Sequence, residues 1–194
     1  MNTKDRKSPR LANWNYGSDA SYFITICSKN REHFFGEIIN KKMNLTPAGA
    51  IASVFWYEIK NHAKNIELGE FMVMPNHIHG ILILNGNGDE NDRTVTGTTQ
   101  NPNDVGTTHA LSLLPSNPAL SQQSNRFQNQ GKNTVSSIVG SYKSAVTKYC
   151  NLLDLPMGWQ SRFHDHIIRD EDAFQRISYY IRNNPANWAE DKFF

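Results

Sequence analysis

Two histidines separated by one apolar residue, His77-Ile78-His79, are the arrangement in this sequence best suited to chemistry. On a strand, residues i and i+2 project from one face, so both imidazoles could share a metal ion while Ile78 packs behind. The plain alternative is two ordinary strand histidines. A second such pair, His164-Asp165-His166, could supply ligands, orient the first pair, or shuttle protons. Asp165 would face away from the two histidines, so all three cannot serve one site. Tyr180 and Asn184 form a third feature. At about 100° per residue, Ile177, Ile181 and Ser178 fall within roughly 60° of Phe174 and define the buried face of a helix. Tyr180 and Asn184 flank that face and, being four apart, project side by side; Tyr179 points away. A phenol and an amide oxygen at such a rim could both reach a metal on the sheet, although a rim tyrosine is equally an ordinary amphipathic feature.

These groups need a scaffold, and the hydrophobic patterning predicts one. Ser21 to Cys27 is β-rich on both faces, as in a central strand. Thr46-Pro47 predicts a helix start, with Ile51, Ala52, Phe55 and Ile59 on one face. Ile66 to Met74 reads as a second strand, Pro75-Asn76 as a tight turn and His77 to Leu84 as a third strand. Val135, Ile138, Val139, Tyr142, Val146 and Tyr149 recur at helical spacing. Phe163 to Arg169 reads as a fourth strand, and Asp170 caps a last helix that runs through Asn184 and stops at Pro185. The order β-α-β-β-α-β plus a helix predicts an α+β, ferredoxin-like (RRM-like) antiparallel sheet. Helices would cover one face, leaving the C-terminal helix to cover the other.

Residues 12–190 are expected to make one domain, interrupted at 85–133. That stretch is rich in Asn, Gly, Thr, Ser, Gln and Pro, with few apolar residues beyond Leu111, Leu113 and Leu114. Such a composition cannot bury enough surface to offset its ordering entropy, so it is expected to be a disordered insertion. The chain has 194 residues, 38% of them hydrophobic, and a formal net charge of +2. No apolar run is long enough to span a membrane, and the charged N-terminus lacks the apolar core of a secretory signal. Cys27 and Cys150 lie far apart in apolar patterns, as buried free thiols of a reducing compartment would. The mild basicity permits nucleic-acid binding without arguing for it. Lys143, Lys148, Arg162, Arg169 and Arg176 could track phosphates, with Lys132 and Arg182 beside them; solvated surface charge is the ordinary alternative.

Four blocks carry a resemblance. MPNHIHG (74–80), GSYKSAVTKY (140–149), WQSRFHDHIIRDE (159–171) and YIRNNPANW (180–188) resemble the single-tyrosine HUH transposases. The nearest branch is the REP-associated tyrosine transposases and their insertion-sequence relatives. The resemblance implies that His77 and His79 are metal ligands, that Tyr180 is the nucleophile, and that Asn184 is the third ligand. It gives His166 no role; a partner orienting the first pair is one reading. It also implies Mg²⁺ or Mn²⁺, a single-stranded DNA substrate with a hairpin, a 5′-phosphotyrosine intermediate and strand transfer. A bacterial-type cytoplasmic, nucleoid-associated setting would follow, with a homodimer as one assembly open to it. The insertion departs from the family pattern and leaves DNA docking and assembly open. Trp14, Tyr16 and Trp159 could stack on bases or simply pack.

Two other classes compete: a non-catalytic RRM-like nucleic-acid-binding module, and a hydrolytic phosphodiesterase using both His-x-His pairs.

Overall fold

The computed structural model describes residues 19–85 and 133–191. Trp14, Tyr16, Lys132 and the Leu111 to Leu114 cluster lie outside them, as does nearly all of the expected insertion.

Alternation along the strands explains the architecture. β1 (Ala20–Cys27) lies between β5 (His77–Leu84) and β6 (His164–Ile168), and β4 (Ile66–Met74) pairs with β5 on its far side. The sheet order is β4-β5-β1-β6 with every pairing antiparallel. One face carries Tyr22, Ile24 and Ile26 of β1, Val73 of β4, Ile78, Leu82 and Leu84 of β5, and Ile167 of β6. Against it pack α1 (Pro47–His62) and α2 (Val135–Leu152), which contribute Ala52, Trp56, Ile59, Ile138, Val139 and Val146. The opposite face carries Phe23, Met72, Ile81, Ile83 and Ile168. It is covered by α3 (Glu171–Asn183) through Ala173, Phe174, Ile177 and Ile181. The expected α+β plan is therefore present, with the C-terminal helix across the second face. That helix occupies the platform on which an RRM-like module would stack bases.

Local chemistry sets the ends of the helices. Gly49 N–H donates to Thr46 Oγ1 at 3.1 Å, Thr134 and Ser137 form a reciprocal capping box, and Ala173 N–H donates to Asp170 at 2.7 Å. The last helix is one residue shorter than the periodicity predicts: Asn184 opens a 3₁₀ segment, Asn184–Glu190, that turns the chain back toward the sheet.

One pair of strands was not legible in the pattern. β2 (Gly36–Ile39) and β3 (Lys42–Leu45) form a hairpin over 36–45. Its two turn residues, Asn40 and Lys41, both have positive φ, the type I′ arrangement usually supplied by Asn-Gly. With lysine in the second place, the usual signal is absent.

Behind the histidines, β5 is shaped by a glycine. A Cβ on Gly80 would stand 2.2 Å from Cζ2 of Trp56, so the indole occupies the space a side chain would need. Trp56 in turn stacks on Phe71 with ring centroids 4.6 Å apart.

Candidate active site

His77 and His79 open β5 directly after the Pro75-Asn76 turn and are fully buried. Their Nε2 atoms face each other at 2.9 Å. His77 Nδ1 is 2.9 Å from Asn76 Oδ1, and His79 Nδ1 is 3.0 Å from Thr25 Oγ1. Thr25 is there because β1 and β5 pair in register, with Thr25 opposite His79.

α3 delivers the remaining groups. Tyr180 Oη lies 3.3 Å from His79 Nε2 and donates to Asp191 Oδ2 at 2.9 Å. Asn184 Nδ2 donates to the same carboxylate oxygen at 2.6 Å. A carboxylate only accepts, so it takes the NH₂ end of the amide and leaves Oδ1 aimed elsewhere. That Oδ1 is buried without a hydrogen-bond partner, which is costly unless something else comes to it. Phe23 walls the phenol, 6.1 Å from the Tyr180 ring in an edge contact and 5.1 Å from His79. Trp188 lies 5.8 Å from the His77 ring and 6.0 Å from His33, so the 3₁₀ segment closes the other side.

Burial pushes the Tyr180 phenol well above its ordinary range. The hydrogen bond to Asp191 and the nearby carboxylate charge add to this, and the Asn184 amide partly opposes it. The phenol is therefore protonated in this arrangement and acts as the donor.

Among the described residues, His77, His79 and Asp191 form a group whose ligand atoms all lie within 4.8 Å of one another and which could hold a metal ion. The orphaned Asn184 Oδ1 points to the same conclusion. Imidazoles combined with amide and carboxylate oxygens are a mixed donor set that suits a divalent cation.

The structure thus brings together His77, His79, Tyr180 and Asn184. Tyr179 is 67% exposed on the outer side of α3. His164 and His166 share the sheet face of the first pair but stand exposed on β6, opposite Thr25 and Phe23. It is Thr25 and Asn76, rather than His166, that meet the imidazoles. Arg162, Arg169 and Arg176 are exposed, Arg176 one turn ahead of Tyr180 on α3. Arg182 pairs with Glu70 at 3.3 Å. Lys143 is half-buried on α2, its Nζ donating to Gln160 O at 2.7 Å. That bond ties down the segment before β6, and burial lowers the pKa of the ammonium. Lys148 is exposed on α2, across the sheet from the histidines, with its Nζ 5.8 Å from the Tyr149 ring centre. Trp159 packs between Phe35 and Tyr142, and its indole N–H lies 3.1 Å from Thr147 Oγ1, so it is partly buried against the core. Cys27 and Cys150 are buried and are not joined in a disulfide.

Sequence reasoning missed Asp191, Thr25 and Asn76. Asp191 follows a proline-broken turn that carries no periodicity. Thr25 becomes relevant only through cross-strand register. Asn76 alone gives a signal, since it directly precedes His77, but its turn propensity masks the second role.

No protein-family model matches the chain. An uncharacterised protein of Haemophilus influenzae is 35% identical over 193 residues, covering 97% of this chain and 93% of its own. Among solved structures, a REP-associated tyrosine transposase bound to a REP hairpin superposes with a TM-score of 0.54 at 18% identity. That match covers 94% of this chain and 76% of the transposase.

Proposed function

Because the chain belongs to one family with the Haemophilus influenzae protein and has the fold of a REP-associated tyrosine transposase, we propose that it is a transposase-type enzyme that cuts and rejoins single-stranded DNA through Tyr180. The observation that carries this reading is the phenol of Tyr180, 3.3 Å from His79 Nε2, beside a buried amide oxygen without a partner.

His77, His79 and Asn184 would hold a Mg²⁺ or Mn²⁺ ion, with the Asp191 carboxylate as a further oxygen donor. When bound, that ion polarises the scissile phosphate and offsets charge on its oxygens. Tyr180 Oη attacks phosphorus, forming the tyrosyl O–P bond as the bond to the 3′ oxygen breaks. The 3′ oxygen takes a proton from solvent water and leaves as a hydroxyl, Asp191 afterwards returning the phenol proton to solvent, and the 5′ phosphate stays on the protein. Asp191 Oδ2, already accepting the phenol hydrogen at 2.9 Å, is placed to take that proton as the new bond forms. Rejoining reverses the step, with a 3′-hydroxyl attacking the phosphotyrosine, and needs no ATP. The hairpin bound to the structural relative makes a foldback in single-stranded DNA the natural target. Exposed Arg162, Arg169 and Arg176 are available for its phosphates. Among the described residues, no helix is long and apolar enough to cross a membrane; we place the activity in the cytoplasm, beside the DNA.

End-labelled single-stranded hairpin DNA should remain attached to the denatured protein in Mn²⁺ or Mg²⁺. The adduct should be lost in EDTA and in Tyr180→Phe and retained in Tyr179→Phe. Adduct formation by Tyr180→Phe at the rate of the unsubstituted protein would sink the assignment.

A further inference from the structure

The two imidazoles are held by different kinds of group. Asn76 Oδ1 meets His77 Nδ1 at 2.9 Å, whereas a hydroxyl, Thr25 Oγ1, meets His79 Nδ1 at 3.0 Å. All four residues are buried. An amide oxygen can only accept, so His77 carries its hydrogen on Nδ1 and presents a bare Nε2. The 2.9 Å contact between the two Nε2 atoms then needs a hydrogen from the other ring. His79 Nε2–H donates it, and His79 Nδ1 accepts from the Thr25 hydroxyl. A hydroxyl can also turn and accept, which an amide oxygen cannot match by donating.

We infer that Asn76 and Thr25 are positioning residues with unequal tasks. Asn76 locks His77 in the tautomer that leaves Nε2 open to a cation. Thr25 lets His79 exchange tautomers: Nε2–H in the metal-free protein, and Nδ1–H, donated to Thr25 Oγ1, once Nε2 becomes a ligand. The protons balance, because the one lost from Nε2 to water is matched by one taken up at Nδ1 from water, and the ring stays neutral. The metal-free pair is thereby satisfied without an ion, and the loaded pair keeps a partner behind each ring. This inference deepens the reading of His77 and His79 as ligands and rests on it.

The test uses the full chain carrying Tyr180→Phe, so that no turnover intervenes. Ring-nitrogen NMR without metal should show His77 protonated at Nδ1 and His79 at Nε2. Added Mg²⁺ should convert His79 alone to the Nδ1–H form. Mn²⁺ affinity, read by electron paramagnetic resonance, should fall about 10- to 100-fold in Thr25→Val and recover in Thr25→Ser. It should fall similarly in Asn76→Ala and hold in Asn76→Asp, which keeps an acceptor at that place. His79 found in the Nδ1–H form before metal is added would overturn the exchange. So would Thr25→Val binding Mn²⁺ as tightly as the unsubstituted residue, with the metal reading left standing. A parent protein that binds neither Mn²⁺ nor Mg²⁺ would instead overturn the metal reading, and the exchange with it.

Discussion

At the scale of single residues, the site is organised around one carboxylate that holds two groups at once. Asp191 Oδ2 accepts from Tyr180 Oη and from Asn184 Nδ2, so it aims the amide oxygen and tethers the phenol. Its negative charge also disfavours the phenolate, on top of the larger effect of burial. Removing the charge while keeping the shape should therefore lower the pKa of Tyr180. In Asp191→Asn the phenolate should appear at lower pH than in the unsubstituted protein. Absorbance titrations of both, each corrected by its Tyr180→Phe counterpart, would check this. An unchanged or higher midpoint would show that burial alone holds the phenol protonated. The same substitution should slow cleavage even so, because the acceptor for the phenol proton is weakened.

At the scale of elements, most of the scaffold was legible because it follows simple periods. His77 and His79 share a face by the two-residue repeat of β5, and the wheel of α3 put Tyr180 at the rim and Tyr179 outside. What could not be read depends on pairing across the chain. Thr25 reaches His79 only because β1 and β5 align Thr25 with it, and Asp191 returns only because the turn after Asn184 folds back. The 36–45 hairpin stayed hidden because Lys41 occupies a place where glycine is the usual marker. Gly80 shows the same dependence, its need being set by Trp56 from another element. In Gly80→Ala the methyl has no room, and neither an indole stacked on Phe71 nor a central strand yields easily. Overpacking of this kind costs about 1–3 kcal/mol. Thermal melts should show a midpoint lower by several degrees, and Mn²⁺ affinity should fall as β5 shifts. A variant melting with the parent would mean that Trp56 swings aside freely.

At the scale of the molecule, the framework is closed on both sides of residues 86–132. Asn85 N–H donates to Asn65 O and its side chain to Glu67, and Thr134 caps α2. Loop closure costs only about 0.6 kcal/mol per doubling of length. Replacing most of 86–132 by a short Gly/Ser linker, with Asn85 and Asn133 kept, should leave the melting midpoint within a few degrees. We expect DNA choice to change more than strand cleavage, since recognition tends to reside in the segments that connect a scaffold's elements. A shortened chain that fails to fold would show that the segment is structural.

α3 docks on the sheet of its own chain through Phe174, Ile177 and Ile181. A consequence for stoichiometry follows. Histidines, amide, carboxylate and phenol are all supplied by one polypeptide, so under the proposed function a lone copy would hold every part the cut needs. Specific activity should stay constant on dilution, whatever assembly forms at high concentration. Mixing His77→Ala with Tyr180→Phe should restore nothing, because neither defective copy can lend its intact half to the other. Recovery of cleavage in that mixture would mean that α3 can leave its own sheet and serve a neighbour's.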